Sequence, residues 1–309
     1  MPRFLACSGG GDRGIIQLGM LTEMYKDCGK ECIAYDEMAG ISAGAFTCAF
    51  LSQLTPDTFH TEIQKLINSF LDGSITVIQR WTWGGAIINF INAVLYHSSI
   101  YDNSKIREML HKWYDPLKVK TPFRVGAYNK TLAQYESFSS DCYDMRQICL
   151  ASSAIPVIFP EIKIGRYMYQ DGGMRHMIPV PEIKEWISRT KGKKHIDVLV
   201  CFPIHDVHLF TQMTIPIFRF PIINEATQMI SDLMLEQLQM DLFELSKMVG
   251  RPVHHLTQNP CCEFTKGDLT IRILSPSKGR YHSISSMNKE RNKKLLLQGE
   301  SIVKRFLKF

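Results

Sequence analysis

Three glycine-bearing turns carry the residues of this chain that could do chemistry. The first, Gly9-Gly10-Gly11-Asp12-Arg13-Gly14, follows a short apolar run at residues 4–7 and precedes a helical pattern. Glycine-rich backbone at a helix start can turn several N–H groups toward one point, a seat for an anion or a developing oxyanion. The second, Gly40-Ile41-Ser42-Ala43-Gly44, again lies between an extended run and a helix. G-x-S-x-G at such a junction is a nucleophile-elbow pattern, with serine on a tight turn and its Oγ exposed. The third, Asp171-Gly172-Gly173, brings a carboxylate on a turn of its own.

The elements that must position these turns read as alternating strands and helices. Residues 4–7 form a short buried strand, and Ile15, Leu18, Leu21 and Tyr25 recur at helical spacing up to a stop at Gly29. A strand is expected at 32–38, a small-residue helix at 43–51 and an amphipathic helix at 58–71. Strands at 123–128 and 132–138 pair around Asn129-Lys130-Thr131, and a helix at 145–154 stops before Pro156. A hairpin around Gly165-Arg166 leads into Asp171. Further strands are expected at 196–202 and 269–274. Residues 206–223 read as a Pro-interrupted loop. A long helix at 225–249 carries Met229, Met234, Met240 and Met248, expected in the core, and a basic, solvated helix closes the chain at 289–309. The alternation indicates an α/β chain with a largely parallel sheet, organised as one domain over residues 1–309. Residues 74–97 are crowded with apolar side chains around one charge, Arg80; they read as a core helix or as a cap over an apolar pocket that touches lipid.

Composition sets outer bounds. The chain has 309 residues, 45% of them hydrophobic and 21% charged, enough for a sizeable core. Its net charge of +6 suits an anionic surface without identifying one. The nine cysteines show neither a CxxC pair nor zinc-like spacing, so buried reduced thiols and a cytoplasmic setting are expected. Neither a signal peptide nor a membrane-spanning run is apparent.

The turns admit more than one chemistry. Gly9-x-Gly11-x-x-Gly14 also satisfies G-x-G-x-x-G, with Asp36 or Glu37 near the distance of a ribose-binding acid, so a dinucleotide site is one reading. Two glycine turns at the ends of successive strands favour nucleophile chemistry instead. Its base is open: an α/β-hydrolase triad would need a histidine, and His176, His205 and His208 fall after Asp171 in chain order.

Taken together, the motifs resemble those of the patatin-like phospholipases. That family's G-G-G-x-R-G is matched by Gly9–Gly14, its G-x-S-x-G by Gly40–Gly44, and its D-G-G/A by Asp171-Gly172-Gly173. Its A-S-x-A-x-P is approximately matched by Ala151 to Pro156, and the likeness is good over residues 4–180. The resemblance implies a three-layer α/β/α sandwich with a mainly parallel central sheet. It implies a Ser42–Asp171 dyad, serine as nucleophile and aspartate as base, with Gly9, Gly10 and Gly11 as the oxyanion hole. Arg13, Gly14, Gly40, Gly44, Gly172 and Gly173 would support these turns, with no metal and no cofactor. Asp12 occupies the motif's variable position and is expected only to cap a helix. The implied activity is phospholipase A-type hydrolysis of phospholipid or a related acyl ester, with peripheral membrane contact and no nucleic-acid partner. A catalytically silent lipid-binding module is the rival from a different class. An aspartate at its ordinary pKa near ~4 is a poor base, so the site has to raise that value or act through positioning and oxyanion stabilisation.

Overall fold

The computed structural model describes residues 1–75, 99, 101–142, 144–204, 221–257, 261–276 and 289–306. The apolar stretch at 74–97 therefore lies outside the described residues apart from its first two, as does most of the expected loop at 206–223. Among the described residues, nine strands form one sheet in the order β5-β6-β3-β2-β1-β7-β9-β8, with β4 paired to β3. They are β1 (Arg3–Cys7), β2 (Glu37–Ile41), β3 (Phe123–Asn129), β4 (Gln134–Ser139), β5 (Ile162–Ile164), β6 (Tyr167–Asp171), β7 (Lys194–Leu199), β8 (Cys261–Lys266) and β9 (Leu269–Leu274). The run β3-β2-β1-β7-β9 is parallel, while β4, β5, β6 and β8 join by antiparallel pairing.

Strand β1 shows why the sheet is covered on both sides. Successive side chains of a strand point to opposite faces. Leu5 and Cys7 enter one buried cluster with Ile16, Leu21, Cys48 and Phe50, whereas Phe4 and Ala6 enter another with Trp186, Ile196 and Leu242. An unbroken apolar run is what a parallel strand needs when helices pack on both faces. The first face carries α1 (Ile15–Cys28), α2 (Ala43–Leu51), α3 (Phe59–Leu71), α4 (Ser104–Trp113), α5 (Met145–Ser152) and α9 (Lys289–Phe306). The second carries α6 (Val180–Arg189), α7 (Pro221–Val249) and α8 (Val253–Thr257). The sequence-based α/β/α reading holds.

Several local expectations are corrected. The strand expected at 32–38 begins only at Glu37, because a 3-10 turn, Lys30–Ile33, follows Gly29. That turn returns Cys32 to the end of α1, where it is disulfide-bonded to Cys28 with Cα atoms 5.9 Å apart. The expectation of reduced thiols throughout therefore fails at this pair. Helix α9 is more than a solvated basic face, since Leu295, Leu296, Ile302 and Val303 are buried. Helix α7 divides the methionines: Met234 is buried and Met248 is partly buried against the same core cluster, while Met229 and Met240 are exposed. The long helix begins at Pro221, inside the stretch expected to be loop. No helix among the described residues is long and apolar enough to cross a membrane.

Candidate active site

The register of the central strands brings two glycine turns together. Cys7 lies opposite Gly40 in the parallel β1–β2 pair, so the turns leaving the carboxyl ends of both strands are side by side. Asp171 reaches the same region from the antiparallel side of the sheet. It is the last residue of β6 and lies opposite Ala127 of β3. Its backbone N–H donates to Ala154 O at 3.0 Å, fastening the aspartate to the turn just beyond α5.

Ser42 stands at the turn between β2 and α2 with φ 53° and ψ −119°, a backbone conformation that non-glycine residues seldom adopt. Its N–H donates to Ser152 Oγ at 2.8 Å, and that hydroxyl donates to Gly126 O at 2.7 Å. A buried side chain of α5 thus holds the strained turn to strand β3. The two motif glycines are required by close approach. A Cβ on Gly40 would lie 2.2 Å from Gly44 O, and one on Gly44 would lie 2.2 Å from Cys7 O. No side chain fits at either position while the helix packs this tightly on the strands.

Asp171 is wholly buried. Its Oδ1 accepts the Gly173 N–H at 2.7 Å. Ser42 is near enough for its hydroxyl to favour the charged carboxylate, although Oδ2 completes no hydrogen bond of ordinary geometry. Catalytic hydrogen bonds of this kind are often loosely aligned before a substrate is bound and tighten in the complex. Burial dominates the electrostatics and pushes the carboxyl up to about 7, with the Gly173 N–H and the Ser42 hydroxyl pulling the other way. An aspartate tuned to that range can accept a proton from serine near neutral pH and return it.

The glycine turn offers donors, but not all three that the motif suggested. The Gly9 N–H is already given to Met177 O at 2.9 Å, which removes it as an oxyanion donor. Among the described residues no hydrogen bond engages the N–H of Gly10 or Gly11. A Cβ on Gly10 would sit 2.4 Å from Cys201 Cβ, so the turn is seated directly on the chain beyond β7. Gly14 ends the 3-10 turn Gly11–Gly14 against Ala43. The buried Arg13 stacks its guanidinium over the Phe202 ring at 4.6 Å. Asp12 is not merely a cap: it is buried in an ion pair with Arg291 of α9. Burial raises the Asp12 pKa, opposed by the Arg291 and Arg13 charges. Gly172 and Gly173 form the 3-10 turn that follows Asp171.

Two cavities open on Ser42. The larger encloses about 860 Å³ of empty space including its mouth and is walled by apolar side chains such as Leu18, Phe46, Phe50, Phe70, Leu110 and Phe159. The second lies beside Gly10, Gly11 and Arg13 and is closed by Met177, Phe202 and Met234. A largely apolar cleft with a few converging polar groups is the usual form of a small-molecule site. Among the described residues no histidine lines either cavity; His176 pairs with Asp241 and His195 with Asp197. His205 and His208 lie outside the described residues. Among the described residues no three His, Cys, Asp or Glu side chains cluster as a metal would require.

The dinucleotide reading meets a geometric objection. A ribose-binding acid should leave the carboxyl end of the second strand, on the side of the glycine turn. Here Glu37 begins β2 instead, with its carboxylate paired to Arg189, and Asp36 Oδ2 accepts the Arg3 N–H. The carboxyl end of β2 carries Ser42.

A family model described as patatin-like phospholipase matches residues 5–183. The chain belongs to the patatin-like phospholipase family. No curated relative matches the sequence significantly. Among solved structures, the chain is similar to VipD from Legionella pneumophila, at 12% identity and a TM-score of 0.43, covering 99% of this chain and 66% of that one. It is also similar to human GIVD cytosolic phospholipase A2 in complex with methyl γ-linolenyl fluorophosphonate and terbium chloride. There the identity is 10% and the TM-score 0.49, with 98% of this chain and 57% of that one covered. The chain thus spans less than two thirds of the length of each. Two contributors to the site are weakly marked in the sequence. Ser152 was visible only as part of a matched motif, and Met177 carried no signal, because its role rests on a backbone carbonyl.

Proposed function

We propose that the protein is a lipid acyl hydrolase of phospholipase A type, a carboxylic ester hydrolase acting through Ser42 and Asp171. The observation that carries this reading is a buried aspartate with its pKa near 7, set beside a strained serine and two uncommitted glycine N–H groups at the mouth of an apolar cavity. The ester's acyl chain occupies the large cavity and places its carbonyl carbon over Ser42 Oγ. Oγ attacks that carbon while its proton passes to Asp171, and the carbonyl oxygen becomes an oxyanion facing the N–H groups of Gly10 and Gly11. Collapse breaks the bond to the leaving alkoxide, which takes the proton from Asp171 and departs as the alcohol. Water then attacks the acyl-serine, giving one proton to Asp171. The second tetrahedral intermediate expels Ser42, which recovers that proton, and the fatty acid leaves.

The apolar cavity favours a long-chain ester over a small soluble one. Membrane contact is supported by Met229, Leu233, Met240 and Phe243, exposed apolar residues on one side of α7. The test is labelling by a fluorophosphonate together with fatty-acid release from a panel of phospholipids, resolving sn-1 from sn-2 products by mass spectrometry. Wild-type protein should score in both assays and Ser42→Ala in neither. Lipid binding without released acid in the wild type would instead identify a silent binding module, and full hydrolysis by Ser42→Ala would remove the dyad.

A further inference from the structure

One buried carboxylate on α7 faces the active-site turns without touching Ser42 or Asp171. Asp241 shares a helix face with Ser231, Met234, Leu238 and Leu245, all buried, and is itself only 1% exposed. Its Oδ2 accepts two backbone N–H groups, from Met177 at 2.7 Å and Ile178 at 2.9 Å. Its Oδ1 pairs with His176 Nδ1 at 2.7 Å. One side chain therefore grips three consecutive residues.

Those residues connect the aspartate turn to the glycine turn. Gly172 O accepts the N–H groups of Arg175 and His176, both at 3.0 Å, so the chain after Asp171 coils tightly into the segment that Asp241 holds. From its far side, Met177 O accepts the Gly9 N–H at 2.9 Å. The Met177 thioether also packs against both Gly9 and Gly173. The path runs from Asp241 to the Met177 peptide, then to Gly9, and directly on to the free N–H groups of Gly10 and Gly11. Other supports are present: Cys201 N–H donates to Ser8 Oγ, and Gln17 Nε2 donates to Ser8 O. These fix the strand end before the turn, and the Ser8 hydroxyl donates to Gly9 O at 2.8 Å, whereas Met177 O takes the Gly9 N–H itself.

We propose that Asp241 is a positioning residue for the oxyanion site: by clamping Met177 it sets the place of Gly9 and hence the aim of Gly10 and Gly11. This rests on the acyl-hydrolase reading. Asp241 touches no reacting atom, and what it contributes is acceptor oxygens at fixed places. Small misplacement of oxyanion donors lowers the chemical step more than substrate binding, because the donors matter most once charge has developed.

The experiment compares Asp241→Ala and Asp241→Asn with wild type in steady-state hydrolysis, in the rate of Ser42 phosphonylation and in amide hydrogen exchange. Asp241→Ala should lower kcat by about 10- to 100-fold, less than or comparable to the loss of one whole oxyanion donor, with KM within about threefold. Phosphonylation should slow by a similar factor. Exchange should quicken over residues 8–14 while β9 is unchanged. Asp241→Asn keeps an acceptor oxygen for the two N–H groups and should recover most of the lost kcat. The proposal is overturned if Asp241→Ala retains kcat within about threefold, if asparagine fails to rescue, or if exchange at 8–14 does not move. Should the alanine protein not fold, Asp241→Ser carries the same expectation, since its single short side-chain oxygen cannot span both N–H groups. An unreactive wild type would refute the hydrolase reading; the exchange comparison still decides the link between Asp241 and the glycine turn.

Discussion

Replacing Asp171 by asparagine separates catalysis from stability, with opposite signs. The carboxyl titrates near 3.8 when free in water and about 7 in the folded chain, with burial the largest cause. The folded state therefore holds a proton that the unfolded chain has released between these values. Stability in the wild type is lost as pH rises through that window. At about 1.4 kcal/mol per pKa unit, the full cost of ionising the buried group is about 4 kcal/mol, of which about 3 kcal/mol falls between pH 5 and pH 8.5. Asparagine does not ionise and escapes this cost. Its amide keeps an oxygen for the Gly173 N–H but leaves its NH2 without an evident partner, a pH-independent penalty of about 1–3 kcal/mol. That penalty cancels when the stability difference between the two proteins is compared across pH. Urea unfolding at several pH values should show Asp171→Asn gaining about 3 kcal/mol on the wild type between pH 5 and pH 8.5, while fatty-acid release is abolished. Wild-type kcat/KM should rise with pH through about 7 as the base ionises. A constant stability difference across that range would refute the desolvated-base argument, even if the variant were inactive.

Other perturbations test the supports. Gly10→Ala puts a Cβ 2.4 Å from Cys201 Cβ and should cut kcat by at least about tenfold; Cys201→Gly in the same protein should restore part of it, as read in steady-state kinetics. Ser152→Ala leaves the Ser42 N–H and Gly126 O without their shared partner. It should cost roughly 1–3 kcal/mol for each buried group left unpaired, measured by chemical denaturation, and slow phosphonylation of Ser42. Asp197 is buried among Arg3, Arg272, His195 and Tyr35, all within hydrogen-bonding distance. Although burial opposes its charge, His195, Arg272 and Arg3 hold its carboxyl below the ordinary range. Asp197→Ala should destabilise the fold by about 3–5 kcal/mol through the charges it leaves unpaired, with any residual activity at low temperature keeping the wild-type pH profile.

Local chemistry was legible in the sequence because close packing leaves a mark on residue type. Gly40 and Gly44 are glycine since backbone atoms occupy the space of a side chain, and Ser42 between them could be read as an elbow from one line of text. The parallel core was equally visible, since strands buried on both faces must be apolar throughout, as residues 4–7 are. What tertiary structure alone decided are contacts that depend on which groups meet, not on what they are. Gly9 reads as an oxyanion donor in its motif, but Met177 O takes its N–H, and a backbone carbonyl has no sequence signature. Asp12 resembled a simple cap, yet its partner Arg291 comes from the last described helix. Glu37 stood at a cofactor-like spacing, but it opens its strand and so lies at the wrong end of the sheet. Asp171 itself was found by its turn; its raised pKa comes from burial, which belongs to the assembled fold. The turns were written in residue types, and their direction and charge were set by packing.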